Sequence, residues 1–251
     1  MQIMKLEASL GRALFVRHTR RVALTAAGEM LLPYARRMLQ VESEALLALA
    51  SEEIDGRVVL GAPDDYMSFL LTPVLEHFSR MFARVEVELV CTQSTLLAPL
   101  LAKGGVDLAF VTRGAGLDGT FIRREPMIWV ASERHRAWEK SPMPVALYEP
   151  GSVARAHTLE AMANSPKRYR ATYGSSSQLG ILAMVEAGLA VAAVTECGAP
   201  PYLRRLGLAE GLPPIAPLDI VLVKSGQKGS AAVDYLAAEI IANLGKEPVG
   251  A

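Results

Sequence analysis

Cysteine is scarce: Cys91 and Cys197 are the only two, far apart and without a C-x-x-C spacing. Neither a zinc-ligand pattern nor a redox pair is therefore indicated, and both read as small core residues. Long apolar runs are missing too. The most apolar stretch, Leu179 to Val194, is broken by Glu186 and Gly188, short of the roughly 18 uninterrupted residues a membrane span requires. No apolar segment follows a charged start at the N-terminus, so a soluble cytoplasmic protein is expected, with no membrane partner. Repeats and low-complexity tracts are absent. Net charge is absent as well, since 26 basic residues balance 26 acidic ones. What remains is an ordinary globular composition, 51% apolar and 21% charged, which excludes a disordered, collagen-like or disulfide-scaffold chain. A length of 251 residues predicts two or three compact units.

The zero net charge hides a skew. Lys5, Arg12, Arg17, Arg20, Arg21, Arg36 and Arg37 stand against Glu7 and Glu29 in the first 37 residues, leaving this head at +5 and the remainder at −5. A basic head on an acidic body points to nucleic acid at one end, with a solvated surface face as the alternative. Ile3, Leu6 and Leu10 recur at helical spacing and Gly11 follows at once, as a left-handed helix cap requires. From Leu14 to Leu24, apolar ends flank a basic centre, predicting two short strands with Arg20 and Arg21 at the tip. Thr25 suits an N-cap. A long helix is expected to follow to about Glu53, kinked or begun at Pro33. Its stripe of Leu31, Tyr34, Ala35, Met38, Ala45, Leu46 and Leu49 favours pairing with a second copy over packing within its own domain.

After Gly56 short β runs alternate with helices, the pattern of a mainly parallel sheet covered on both faces. Strands are predicted at 57–60, 85–91, 107–111 and 127–131, with helices at 66–82 and 95–103. Beyond Ser132 a second set begins, with strands at 144–147, 169–173 and 190–194 and helices at 152–163 and 178–187. A late strand at 218–224 and a final helix at 231–244 complete the chain. Open α/β sheets place ligands at the carboxyl ends of their strands, where helix N-termini present free amides. Four turns qualify: 62–66, 92–95, 112–113 and 174–178. Asp64 and Asp65 sit at one such helix start, where they complement the helix dipole and disfavour a purely anionic ligand, with Arg113 as a potential offset.

The order Ile3-x-x-Leu6-Glu7-x-x-Leu10-Gly11-x-x-Leu14-Phe15-x-Arg17, then Arg21-Val22-x-Leu24-Thr25-x-Ala27-Gly28, resembles the LysR-type family of bacterial transcriptional regulators, and the α/β region resembles that family's effector domain. The resemblance implies a winged helix-turn-helix, a linker helix and two lobes like those of periplasmic solute-binding proteins. Expected bounds are 1–25 for the end of a recognition helix plus wing, 26–56 for the linker and dimerisation helix, 57–130 with 225–251 for lobe I, and 131–224 for lobe II. Family members carry further helices ahead of this motif, so a misplaced start or a clipped chain is expected.

Gln2 and Lys5 on the helix, and Arg17, His18, Arg20 and Arg21 on the wing, become candidates for DNA. Gln can pair with an adenine edge, whereas Lys and Arg chiefly supply salt-sensitive phosphate affinity. The resemblance places Gln93, Ser94 and Thr95 on a helix facing the cleft, Ser175, Ser176 and Ser177 on a turn of the other lobe, and Trp129 where the chain first crosses between lobes. With Asp64, Asp65, Thr112 and Arg113 these are the expected effector contacts. Plainer readings stand beside them: Ser94 as a helix cap, the serines as a polar turn, Trp129 as core. Implied partners are promoter DNA, a small-molecule effector, and copies of the chain as a dimer or dimer of dimers. No cofactor or metal is implied. The four histidines show neither a G-x-S-x-G nor an H-E-x-x-H context, which points away from an enzyme. The alternative is a stand-alone solute-binding domain without DNA binding, which could titrate full-length partners.

Overall fold

The computed structural model describes residues 2–18, 21–32, 34–35, 38, 41, 54–114, 116–226 and 229–245, with the backbone alone for residues 2, 17, 18, 21 and 22. The chain divides into two units, Met1–Glu53 and Ile54–Ala251.

In the first unit, helix α1 (Gln2–Leu10) ends at Gly11, whose φ of +62° is the left-handed cap its position predicted. Strands β1 (Phe15–His18) and β2 (Arg21–Leu24) pair antiparallel as the expected wing. The Glu7 carboxylate ties α1 to the wing by accepting from the backbone N–H groups of Leu14 (2.7 Å) and Phe15 (3.1 Å). Thr25 caps helix α2, which includes residues 26–32: its Oγ1 accepts from the Gly28 amide at 3.1 Å. Gly28 is glycine for want of room, since a Cβ there would stand 2.2 Å from the Leu14 carbonyl oxygen. Residues 34, 35, 38 and 41 are also helical. Pro33 and the remainder of the expected linker to residue 53 lie outside the described residues.

The second unit contains two five-stranded sheets. In the first, the order is β4 (Val85–Cys91), β3 (Gly56–Ala62), β5 (Leu108–Thr112), β12 (Leu218–Lys224), β6 (Thr120–Glu125). Strand β3 runs parallel to β4 and β5, whereas β12 is antiparallel to β5 and β6. The second sheet repeats this plan. Its order is β11 (Arg204–Leu206), β7 (Met127–Ala131), β10 (Val191–Thr195), β8 (Met143–Tyr148), β9 (Tyr169–Ser175), with β8 parallel to β9 and β10. Central strands carry nearly continuous apolar runs, such as Leu-Ala-Phe-Val in β5 and Val-Ala-Ala-Val in β10, because both of their faces are covered.

The connecting helices follow the predicted alternation. A continuous helical stretch comprises α3 (Asp64–Tyr66), a π-helical segment (Met67–Leu71) and α4 (Thr72–Met81). Pro73 lacks an N–H and crowds the carbonyl four residues back, and the wider π turn just ahead of it relieves that conflict. Helices α5 (Ser94–Ala102), α6 (Val153–Ala163), α7 (Gln178–Glu186) and α8 (Ala231–Leu244) complete the unit. No helix among the described residues is long and apolar enough to cross a membrane.

Two strands depart from the expected lobe boundaries. Strand β7, assigned to lobe I, pairs with β10 in the second sheet. Strand β12, assigned to lobe II, is inserted between β5 and β6 of the first. Its buried Leu218, Ile220, Val221 and Leu222 belong in a sheet interior, where both edges find hydrogen-bond partners. The lobes are thus joined by two crossings, at residues 125–127 and 207–217. Both cysteines also differ from expectation. Cys91 ends the edge strand β4 and is exposed, and Cys197 is half-buried in the turn after β10.

Candidate functional site

Parallel strands of both lobes aim their carboxyl ends at a shared cleft within the second unit. The cavity there has a volume of about 610 Å³ including its open mouth. Lobe I contributes the starts of α3 and α5, Thr112, Gly114 and Leu117. Lobe II contributes Tyr148, Glu149, residues 151–154, Ser176 and Thr195.

Of the expected effector residues, the structure brings Asp64, Asp65, Gln93, Ser94, Thr95, Thr112 and Ser176 to the cavity wall. Ser94 Oγ accepts from the Thr112 amide at 3.2 Å, pinning the start of α5 to the end of β5. The Gln93 side chain at the N-cap of α5 makes no capping hydrogen bond, and the first turn of the helix lines the cavity.

Four expected residues take other places. Trp129 is 2% exposed and packed in the lobe II core, with its Nε1–H donating to the Pro213 carbonyl at 2.8 Å. A large ring on a central strand is drawn to the interior, and its one donor finds a backbone acceptor there. Arg113 is off the cavity wall, beside Asp118 at 3.4 Å and Asp219 at 3.5 Å, so it does not offset the acids at the cleft. Ser175 accepts from the Ser177 amide at 3.1 Å, inside its own turn. Ser177 is taken up by lobe I instead.

That last contact belongs to a set of carboxylates that spans the lobes. Asp64 accepts from Ser177 Oγ (2.6 Å) and from the backbone N–H groups of Gln178 (3.3 Å) and Leu179 (3.2 Å), so a lobe I residue caps helix α7 of lobe II. Asp65 Oδ2 is 2.8 Å from Thr195 Oγ1, at the end of β10. Buried Glu125, at the end of β6, accepts from the Cys197 amide at 2.8 Å and pairs with Arg123 at 2.8 Å. Arg123 is a lobe I neighbour of Glu125, but in each contact that crosses the lobes lobe I supplies the carboxylate and lobe II the donor or hydroxyl. Asp64→Ala removes the cap from α7, and a loss of about 1 kcal/mol in urea unfolding is expected. An unchanged midpoint would show that the cap contributes nothing.

The buried polar groups behind the wall are strongly perturbed. Burial pushes the Asp65 carboxyl up to about 6, with the Thr195 hydrogen bond opposing and neighbouring Asp64 adding to the rise. Burial, with Asp65 nearby, holds the Tyr66 and Tyr148 hydroxyls well above the ordinary tyrosine value. The Tyr66 hydroxyl lies 2.7 Å from Thr112 Oγ1, and that of Tyr148 donates to Gln178 Oε1 at 2.8 Å. The Cys197 thiol is pushed up to about 12 by burial and the Glu125 charge, which keeps it a thiol.

Sequence reasoning missed Tyr148, Glu149, Ser152 and Thr195, and reached Tyr66 and Gln178 only as the ends of the candidate turns 62–66 and 174–178. Tyr148 and Thr195 each end a parallel strand, so the rule that selected the turn after β4 would have reached both had it been extended to β8 and β10. For the DNA candidates, Gln2 and exposed Lys5 lie on α1, Arg17 and His18 on β1, and Arg21 on β2, whereas Arg20 lies outside the described residues.

Comparison with known proteins agrees with this two-lobed architecture. Residues 51–244 match the LysR substrate binding domain, and residues 1–29 match the bacterial regulatory helix-turn-helix protein of the lysR family. The chain belongs to the LysR family of transcriptional regulators, with an effector-binding domain and part of the helix-turn-helix; it is not a family of enzymes. It is 33% identical over 222 residues to the HTH-type transcriptional regulator DgdR of Burkholderia cepacia, an alignment covering 88% of this chain and 76% of that one. Identity to the regulator PecT of Dickeya dadantii is 29%, over 84% of this chain and 67% of that one. The solved structure of CrgA, a LysR-type transcriptional regulator from Neisseria meningitidis, superposes with a TM-score of 0.64 at 20% identity, covering 96% of this chain and 86% of that one. Regulators of this family bind DNA and small-molecule effectors.

Proposed function

We propose that this chain is the sensor and part of the DNA-binding head of a cytoplasmic regulator, in which a small molecule held between the two lobes changes binding to promoter DNA. The observation that carries this reading is the cavity walled from both lobes, beside carboxylates that hold the lobes together. A ligand preferring one lobe angle shifts the population toward it, and the linker helix passes that bias to the DNA-binding heads. Ser94, Thr95, Gln93, Thr112, Ser176, Asp64 and Asp65 are the effector contacts in this reading. Gln2, Lys5, Arg17, Arg20 and Arg21 are the DNA contacts. A homodimer, or a dimer of dimers, is supported by the exposed Met30, Tyr34, Met38 and Val41 along the helix after the wing, each more than half exposed.

A test has two parts. A form extended at the N-terminus by the helices that complete the helix-turn-helix is expected to shift promoter DNA, with an affinity that falls steeply as salt rises. Ser94→Ala is expected to weaken an effector found by thermal shift about tenfold, the loss of one hydrogen bond of about 1.4 kcal/mol. A ligand bound equally well by Ser94→Ala would move the site away from α5. Ligand binding without any DNA shift by the extended form would favour a stand-alone solute-binding domain.

A further inference from the structure

The ionisable side chains of the cavity wall are all of one sign. Asp64, Asp65 and Glu149 line it, and no Lys, Arg or His does so among the described residues. The first two carboxylates are already engaged, Asp64 by three donors from the start of α7 and Asp65 by Thr195. Glu149 differs. It follows β8, is half-buried and lines the cavity, and its Oε2 meets no hydrogen-bond donor among the described residues. The guanidinium of Arg155 lies close enough to favour the ionised carboxylate, while its Nη1 donates to the Tyr148 carbonyl at 2.7 Å. A half-buried carboxylate on the cavity wall gains from a cationic donor on the ligand. Across the cavity the first turn of α5 offers backbone amides and the Ser94 and Thr95 hydroxyls, which suit an oxygen acceptor.

We infer that the effector carries a protonated amine that pairs with Glu149, while an oxygen of the same small molecule rests on the start of α5. This rests on the reading of the cleft as the effector site and names the chemical class that site takes. A simple carboxylate would face three acids with no cation on the wall to balance it, whereas an amine gains a charge-assisted hydrogen bond to Glu149.

The experiment melts the full chain in the presence of primary amines and amino acids, from propylamine and cyclohexylamine to the proteinogenic amino acids. Propionate and cyclohexanecarboxylate serve as the matched acids. Amine-bearing compounds are expected to raise the Tm and the two acids are not. In Glu149→Gln, which keeps the shape and lacks the charge, the apparent affinity for the amine is expected to fall at least tenfold while the ligand-free Tm holds. Stabilisation by the acids alone, no stabilisation by any amine, or an amine response intact in Glu149→Gln would each overturn the inference. An acid response lost in Ser94→Ala would end the amine assignment and leave the cleft standing. An amine response untouched by both substitutions would end the cleft reading too.

Discussion

Trp129→Ala is expected to cost about 3–5 kcal/mol of folding stability, the range for emptying a large buried aromatic site. The ring is 2% exposed, on a strand hydrogen-bonded on both sides, by β10 and by β11. It packs with Met127, Ala131, Leu206, Leu212 and Ile215 of the lobe II core. Truncation leaves a cavity that a sheet interior cannot collapse to fill. It also strips the Pro213 carbonyl of the indole N–H at 2.8 Å. At roughly 2–4 °C per kcal/mol for a chain of this size, the Tm drops by about 10 °C. Trp129→Phe keeps most of the volume and loses the hydrogen bond, so its cost is about 1–2 kcal/mol. Calorimetry and urea unfolding measure both. If Trp129→Ala instead kept the stability and lost only ligand affinity, the indole would belong to the effector site after all.

Asp65→Asn is expected to stabilise the protein above neutral pH, and the sign follows from where the proton goes. The Asp65 carboxyl has a value of about 6 in the folded chain against 3.8 as its ordinary reference. The folded state therefore holds this proton more tightly than the unfolded state. Stability from this group is present in full below about 3.8, falls as pH rises, and is lost above about 6. A gap of this size corresponds to about 3 kcal/mol, as an order of magnitude. The hydrogen bonds tell the same story. Thr195 Oγ1 lies 2.8 Å from Asp65 Oδ2 and 2.9 Å from Gln178 Oε1, yet a hydroxyl has one proton to give. With the Gln178 amide in this orientation, an ionised Asp65 and Gln178 compete for that one proton, whereas a protonated Asp65 donates to Thr195 and leaves the hydroxyl proton for Gln178. The Asn amide supplies that donor at every pH. Chemical denaturation at pH 8 is expected to show Asp65→Asn more stable than the parent by up to about 3 kcal/mol, with the gap closing toward pH 4. A variant less stable than the parent at pH 8 would mean that the ionised carboxylate is what lobe II needs.

Local pattern carried much of this fold. Apolar runs bounded by turns located β3, β5, β8 and β10, and Gly11 and Thr25 marked the helix end and helix start that their backbone chemistry requires. Strand β6 escaped because its sequence, Thr-Phe-Ile-Arg-Arg-Glu, is charged where a strand reader looks for alternation. Its buried Glu125 satisfies a hydrogen bond from a residue 72 positions away. The cleft was half legible. Turns after β3, β4 and β5 could be named from strand ends, but a polar turn such as 175–177 reads alike whether it faces a ligand, itself or another lobe.

Element types, the basic wing and the family are set by neighbours within a few residues of one another, and a hydrophobic period or a capping residue records such information directly. The sheet that β12 joins, the retreat of Trp129 into the core, and the capture of Ser177 by Asp64 and of Thr195 by Asp65 belong to the tertiary structure alone. Those last partners lie 113 and 130 residues apart. A carboxylate at a helix start complements the dipole of its own helix or caps another's with the same local sequence. Only the docking of one lobe on the other selects between the two.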